Sequence, residues 1–153
     1  MHALRVYRAL LARTRTSPVE VSLDGVAWRE NLLFVEVLNI SAVGPNLELS
    51  PASDPGDRFL EVVTAGEAQR RALDDYLASR LLGSARPPML PVRRARQVRI
   101  DGPGEVHIDG EVRDRPGTPV EIDVECRAVT FLAAESGLVP DGQEVTPGYW
   151  RTV

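Results

Sequence analysis

The stretch VEVSLDGVAWRENLLFVEVLN, residues 19–39, decides the fold class. Val19, Val21 and Leu23 alternate with polar residues up to Asp24-Gly25, a dipeptide suited to the left-handed backbone that a two-residue hairpin needs. Beyond it, Leu32 to Leu38 is apolar almost throughout, which predicts a strand buried on both faces or nearly so. The same grammar recurs downstream. Phe59 to Val63 predicts another strand, and NLELS a short one inside the irregular stretch 40–57. From Val92 onward strands are expected at 92–100, 105–108, 111–114, 119–125 and 128–133, separated by DGPG, DG and RPGT turns. Eight or more short strands predict a mainly β chain, an antiparallel β-sandwich or open barrel with its helices packed at an end or edge.

Two helices interrupt the strands. Leu4, Tyr7, Leu10 and Leu11 recur at helical spacing and predict a short N-terminal amphipathic helix over 3–13. A central amphipathic helix follows Thr64 and Glu67, which form the S/T-x-x-E pattern of a capping box, and Leu73, Tyr76, Leu77 and Leu81 line one of its faces. Gly83 is placed to end it, with Pro87-Pro88 beyond. The tail from 134 to 153 lacks periodicity and carries Tyr149 and Trp150, so it reads as a loose tail or as a strap anchored by two rings. The expected organisation is one domain over 1–133 and a tail over 134–153.

Composition narrows the function classes. The chain has 153 residues, 43% apolar, 26% charged and 5% aromatic, the profile of one soluble domain rather than a complete two-domain kinase or dehydrogenase. No apolar run approaches the roughly 18 residues of a membrane span, and the Arg-bearing start is unlike a signal peptide. The expected location is therefore cytoplasmic, with peripheral contact at a membrane left open. A net charge of −4 disfavours nucleic acid as a partner. All 18 basic residues are Arg, which excludes lysine-dependent chemistry such as a P-loop or Schiff base. Cys126 is the single cysteine, and His2 and His107 are far apart, so neither a disulfide nor a thiolate zinc site can form within the chain.

Three constellations could carry chemistry. Asp54 and Asp57 lie in a Pro/Gly-bent loop where a carboxylate and backbone carbonyls can wrap Mg²⁺ or Ca²⁺, although Asp-Pro-Gly-Asp is also simply a good turn. In VHIDGEV, 106–112, a two-residue turn at Asp109-Gly110 would set Glu111 across from Ile108 and on one face with Val106. A carboxylate on an apolar face is costly unless it lies at a rim or faces a cleft, which singles out Glu111 as a functional candidate. His107 would point to the opposite face and into solvent. Arg86, Arg93, Arg94, Arg96 and Arg99 could hold phosphates or an anionic membrane surface, or simply protect a strand edge from aggregation.

The order NISAVGPNLELSPASDPGDRFLEVV, amphipathic helix, Arg-rich β run, VHIDGEV and AVTFLA, over about residues 18–133, resembles the C-terminal domain of the diacylglycerol kinase and sphingosine kinase superfamily of lipid kinases. The resemblance implies a β-sandwich that closes a cleft against an N-terminal nucleotide-binding domain, and a place in phospholipid metabolism. That domain's Gly-Gly-Asp-Gly-Thr signature does not occur in this sequence, so ATP would enter only through an N-terminal kinase domain in cis or trans, and the chain alone would be no enzyme. Position by position, the resemblance makes Glu111 the carboxylate that helps activate the lipid hydroxyl, with Asp109 before it. It makes Asp57 the side-chain ligand of a structural Mg²⁺, flanked by the backbone carbonyls of Asp54 and Phe59. Arg58 stands where the family usually has Gly after the metal Asp, and Val43-Gly44-Pro45 replaces a run of glycines. The expected partners are the lipid substrate or an anionic membrane surface and the kinase domain, with a homodimer as a further option. The alternative function is a stand-alone, non-enzymatic β-sandwich module binding lipid or a protein.

Overall fold

The computed structural model describes residues 2–83, 86–113, 117–125, 132–134 and 150–152, the last two segments as backbone. The elements are α1 (His2–Arg13), β1 (Ser17–Leu23), β2 (Val26–Leu38), β3 (Ala42–Val43), β4 (Leu47–Glu48), β5 (Leu60–Gly66), α2 (Arg70–Leu81), β6 (Val92–Ala95), β7 (Gln97–Asp101), β8 (Val106–Ile108), β9 (Glu111–Arg113), β10 (Val120–Asp123), β11 (Leu132–Ala134) and β12 (Trp150–Thr152). Six strands form one antiparallel sheet in the order β10-β7-β1-β2-β5-β6, curled into a half-barrel. The mainly β expectation is met in its open-barrel form, with the two expected helices.

The β1–β2 hairpin forms where the sequence places it. Asp24 (φ 48°) and Gly25 (φ 86°) both take the left-handed backbone of the turn, and Leu23 pairs with Val26. Strand β2 pairs with β5 through a register shift between Leu32 and Phe34. This bulge turns over the inward set, so Leu32, Val35 and Val37 face one core while Phe34 and Leu38 face another. That is why Leu32 to Leu38 is apolar without alternation. Strand β5 is buried at every position and feeds both cores. Leu60 and Val62 join Val21, Leu23, Leu32, Ala95 and Val98 inside the curl. Val63 packs outward with Leu4, Leu38, Leu47, Leu49, Tyr76 and Leu77, beneath the helices. Each such Val or Leu contributes about 1.5–3 kcal/mol of burial free energy.

The entry to α2 differs from the capping box expected at Thr64 and Glu67. Thr64 is a buried residue of β5, and its N–H donates to the Pro91 carbonyl at 3.1 Å. The sheet ladder claims it, and the chain stops being a strand only at Gly66, whose N–H donates to Gln69 Oε1 at 2.9 Å. A Cβ at residue 66 would come within 3.1 Å of the Asn31 carbonyl, so the close approach of β5 to β2 selects glycine there. One 3-10 turn, Glu67–Gln69, then leads into the helix. Its exit is as expected, with Gly83 at φ 79° donating its N–H to the Arg80 carbonyl at 3.2 Å.

Polar contacts seat the helices on the sheet. Arg8 of α1 makes a two-pronged pair with Asp74 of α2 at 2.6 and 2.9 Å. Arg70 holds Glu67 at 2.6 and 2.7 Å and donates to the carbonyls of Leu11 and Thr14 at the end of α1. The buried Tyr76 hydroxyl accepts the Glu48 N–H at 2.9 Å, tying α2 to β4.

The expected strand over 92–100 is two strands broken at Arg96. Strand β6 lies at one edge of the sheet, whereas β7 lies one in from the other. Asp24 Oδ1 accepts the N–H groups of Arg96 (3.0 Å) and Gln97 (2.8 Å), the Asp24 N–H donates to the Gln97 carbonyl at 3.0 Å, and the Val124 N–H donates to the Arg96 carbonyl at 3.0 Å. The turn of one hairpin therefore satisfies the backbone of the bend that curls the sheet. The region beyond Glu125 is described only in part: β11 pairs antiparallel with β12, and Cys126 and Tyr149 lie outside the described residues.

Candidate functional site

The hairpin β8–β9 has the register that the sequence predicts. Asp109 (φ 50°) and Gly110 (φ 84°) form its turn, Ile108 pairs with Glu111 and His107 with Val112. The environment differs from expectation. Ile108 and Val112 are 51% and 58% exposed, so neither face of the hairpin is a buried apolar face. Glu111 is exposed and forms an ion pair with Arg113, whose Nη2 lies 2.7 Å from Glu111 Oε2. His107 is exposed, with Nε2 at 3.6 Å from Glu105 Oε2, in line with the solvated reading. Glu36 in β2 has its carboxyl raised above the usual range by burial, an effect that a charge on His107 would oppose.

The loop after β4 carries the other predicted residues. Asp54 Oδ1 accepts the Gly56 N–H (2.8 Å), Asp57 Oδ1 accepts the Phe59 N–H (2.9 Å), and the Asp57 N–H donates to the Asp54 carbonyl (3.2 Å). Two short carboxylate-to-backbone turns thus follow each other. Within the second, Arg58 has φ 67°, a conformation that costs a non-glycine residue roughly 1–2 kcal/mol.

Asp57 Oδ2 is not free: Arg94 of β6 donates to it through Nη2, and Arg94 Nε lies 3.5 Å from Glu61 Oε1. Glu61, 3% exposed, was not singled out by sequence reasoning. The available signal was a lone carboxylate in the apolar run FLEVV, just as Glu36 interrupts LLFVEVL. Ser50, Pro51, Asp57, Glu61, Val92 and Arg94 line a cavity of about 300 Å³. A second groove, of about 940 Å³, lies between α1 and α2 and is lined by Arg5, Arg8, Arg70 and Asp74 among others.

Most of the oxygens expected to hold a divalent cation are engaged within the chain. Mg²⁺ takes near-octahedral oxygen ligands, whereas here one Asp57 oxygen is held by a guanidinium and the other by a backbone N–H, and the Asp54 carbonyl is already engaged. Among the described residues no three His, Cys, Asp or Glu side chains converge on a point.

The arginine run is largely tied down within the chain. Arg93 lies over the Trp28 ring at 4.1 Å, Arg94 and Arg96 lie over Phe59 at 4.6 and 4.9 Å, and Arg99 faces Glu20 and Glu121 at 4.0 and 3.6 Å. Arg86 is exposed. The edge-protecting reading suits Arg93 and Arg94, which sit on the edge strand β6. No helix among the described residues is long and apolar enough to cross a membrane.

No curated protein matches the chain. Solved structures do. A protein assigned as a diacylglycerol kinase from Bacillus anthracis str. Sterne aligns with a TM-score of 0.61 at 20% identity, covering 80% of this chain and 41% of that one. Another structure of a diacylglycerol kinase from the same organism gives 0.60 at 20% identity, covering 80% and 43%. At that identity the likeness establishes the fold, and the chain spans about two fifths of the proteins it matches. Residues 3–133 match the family described as the YegS C-terminal NAD kinase beta sandwich-like domain, and with the curled sheet and the Asp-Gly-Glu hairpin in place the chain belongs to that family.

Proposed function

We propose that this chain is the lipid-binding, cleft-completing C-terminal domain of a diacylglycerol-kinase-like lipid kinase, and that Glu111, with Asp109 beside it, presents its catalytic carboxylate. The observation that carries the reading is the hairpin β8–β9. Its two-residue turn holds Asp109 and Glu111 at an exposed tip, with Glu111 pinned by Arg113 instead of buried in the sheet. A carboxylate so placed is available to a reactant brought from outside the domain. The family match over 3–133 and the partial coverage of diacylglycerol kinases support the same reading.

Phosphoryl transfer requires bound nucleotide, a positioned hydroxyl and charge neutralisation. The nucleotide would be held by an N-terminal kinase domain, and the present residues would supply part of the lipid pocket and a proton acceptor. The test is transfer of the ATP γ-phosphate to diacylglycerol in mixed micelles, by this chain alone and together with a nucleotide-binding domain, whether in one polypeptide or as a separate subunit. The expected result is no turnover alone and turnover together. In the complete enzyme Glu111→Gln should lower turnover roughly 10²–10⁴-fold, the usual loss for a general base. Activity of the isolated chain, or an undiminished Glu111→Gln enzyme, refutes the assignment.

A further inference from the structure

Glu61 is the single acidic residue of β5, and its neighbours in the sheet are Leu38 on β2 and Arg94 on β6. It is 3% exposed and its Oε2 has no hydrogen-bond partner, so an isolated charge there would be costly. Arg94 meets it with Nε at 3.5 Å and, through Nη2, also takes Asp57 Oδ2 from the loop before β5. The same guanidinium lies 4.6 Å from the centre of the Phe59 ring. Phe59 is in turn the residue whose N–H Asp57 Oδ1 accepts. One planar cation thus joins two carboxylates from separate elements and fastens the 50–59 loop to the edge of the sheet.

Neutralising a pair of carboxylates and pinning a loop is the work a structural divalent ion would do. A second cation at the same carboxylates would stand within a few ångströms of a fixed positive charge and find few free oxygens. We propose that Arg94 is the resident cation of the Asp57 loop and that the domain holds this loop in place without a divalent metal. The guanidinium suits the task because its fork of donors can serve two carboxylates at once and its flat face can rest on a ring.

The test reads thermal stability and is independent of any phosphotransfer activity. The unfolding midpoint of the full chain is measured in EDTA, in MgCl₂ and in CaCl₂. For the unmodified protein the midpoint should shift by less than about 1 °C among the three, a change too small to reflect a bound structural ion. Arg94→Gln should lower the midpoint in EDTA by roughly 5 °C, and Mg²⁺ or Ca²⁺ should recover part of that loss because Asp57 and Glu61 are then unpaired. Arg94→Lys keeps a charge at the site and should stay insensitive to both ions. A lower midpoint of the unmodified protein in EDTA overturns the proposal, as does an Arg94→Gln protein that ignores both ions. If Arg94→Gln does not fold, the first and third proteins still decide the matter.

Discussion

Asp24 ties the β1–β2 turn to the bend between β6 and β7, and the cost of losing it can be worked from its contacts. Its carboxylate accepts two backbone N–H groups, those of Arg96 and Gln97, and its own backbone holds a left-handed conformation at φ 48°. Hydrogen bonds to a charged group contribute about 1.5–3 kcal/mol when shielded. These are exposed, so water replaces part of the loss, and a fair value is about 0.5–1 kcal/mol each. Alanine adds a left-handed backbone penalty of roughly 1 kcal/mol. Asp24→Ala should therefore cost about 2–3 kcal/mol, a fall of roughly 5–10 °C in the midpoint for a chain of this size. Asp24→Asn keeps an acceptor and tolerates the left-handed turn, so its loss should be nearer 1 kcal/mol, or about 2–4 °C. Melting followed by far-UV circular dichroism measures both. Equal losses for Ala and Asn, or an Ala variant within about 2 °C of the parent, would refute the role given to the Asp24 carboxylate.

Three further outcomes follow from the geometry. Tyr76→Phe leaves the Glu48 N–H without its buried partner and should destabilise by about 1–2 kcal/mol, and an unchanged melting curve would remove that link. Glu36 has its carboxyl raised by burial, so above the ordinary value of 4.5 the native state binds more protons than the unfolded one, and its contribution to stability falls as pH rises. Glu67 and Asp74, lowered by Arg70 and Arg8, act in the opposite sense, so the comparison must be made between the parent and Glu36→Gln. The variant should gain on the parent as pH climbs from about 4.5 towards neutrality, and parallel profiles would disprove it. Glu111→Gln should leave stability within about ±0.5 kcal/mol, since the side chain is exposed, and a large loss would make it structural instead of functional.

The parts of this fold that were legible in the sequence are those set by neighbouring residues. The Asp24-Gly25 and Asp109-Gly110 turns are written in two residues each, and both hairpins have the expected register. The face that α2 buries follows from Leu73, Tyr76 and Leu77 at helical spacing. The misreadings lie where distant chain decides. Thr64 reads as a helix cap until β2 claims it for the sheet. Arg96 reads as mid-strand until Asp24, 72 residues away, takes its N–H. In the candidate site the Glu111 position was legible from turn length, but its exposure was not, because that depends on where the hairpin stands relative to the sheet. The partner of Asp57 was hidden for the same reason, since Arg94 reaches it across 37 residues.

The bend at Arg96 also bears on the order in which the chain folds. Strands β1, β2 and β5 can pair as soon as they exist, yet the inner core keeps an open side until β7 docks beside β1. The contact that fixes this docking joins residues 73 apart, and such non-local closure slows folding because chain entropy is lost before the contacts are gained. During synthesis Val21, Leu32 and Val62 would therefore await a strand not yet made, and the N-terminal half would pass through a stage in which an apolar trough faces solvent. The interval between completing β5 and docking β7 is when the nascent chain is most exposed to aggregation and most in need of shelter.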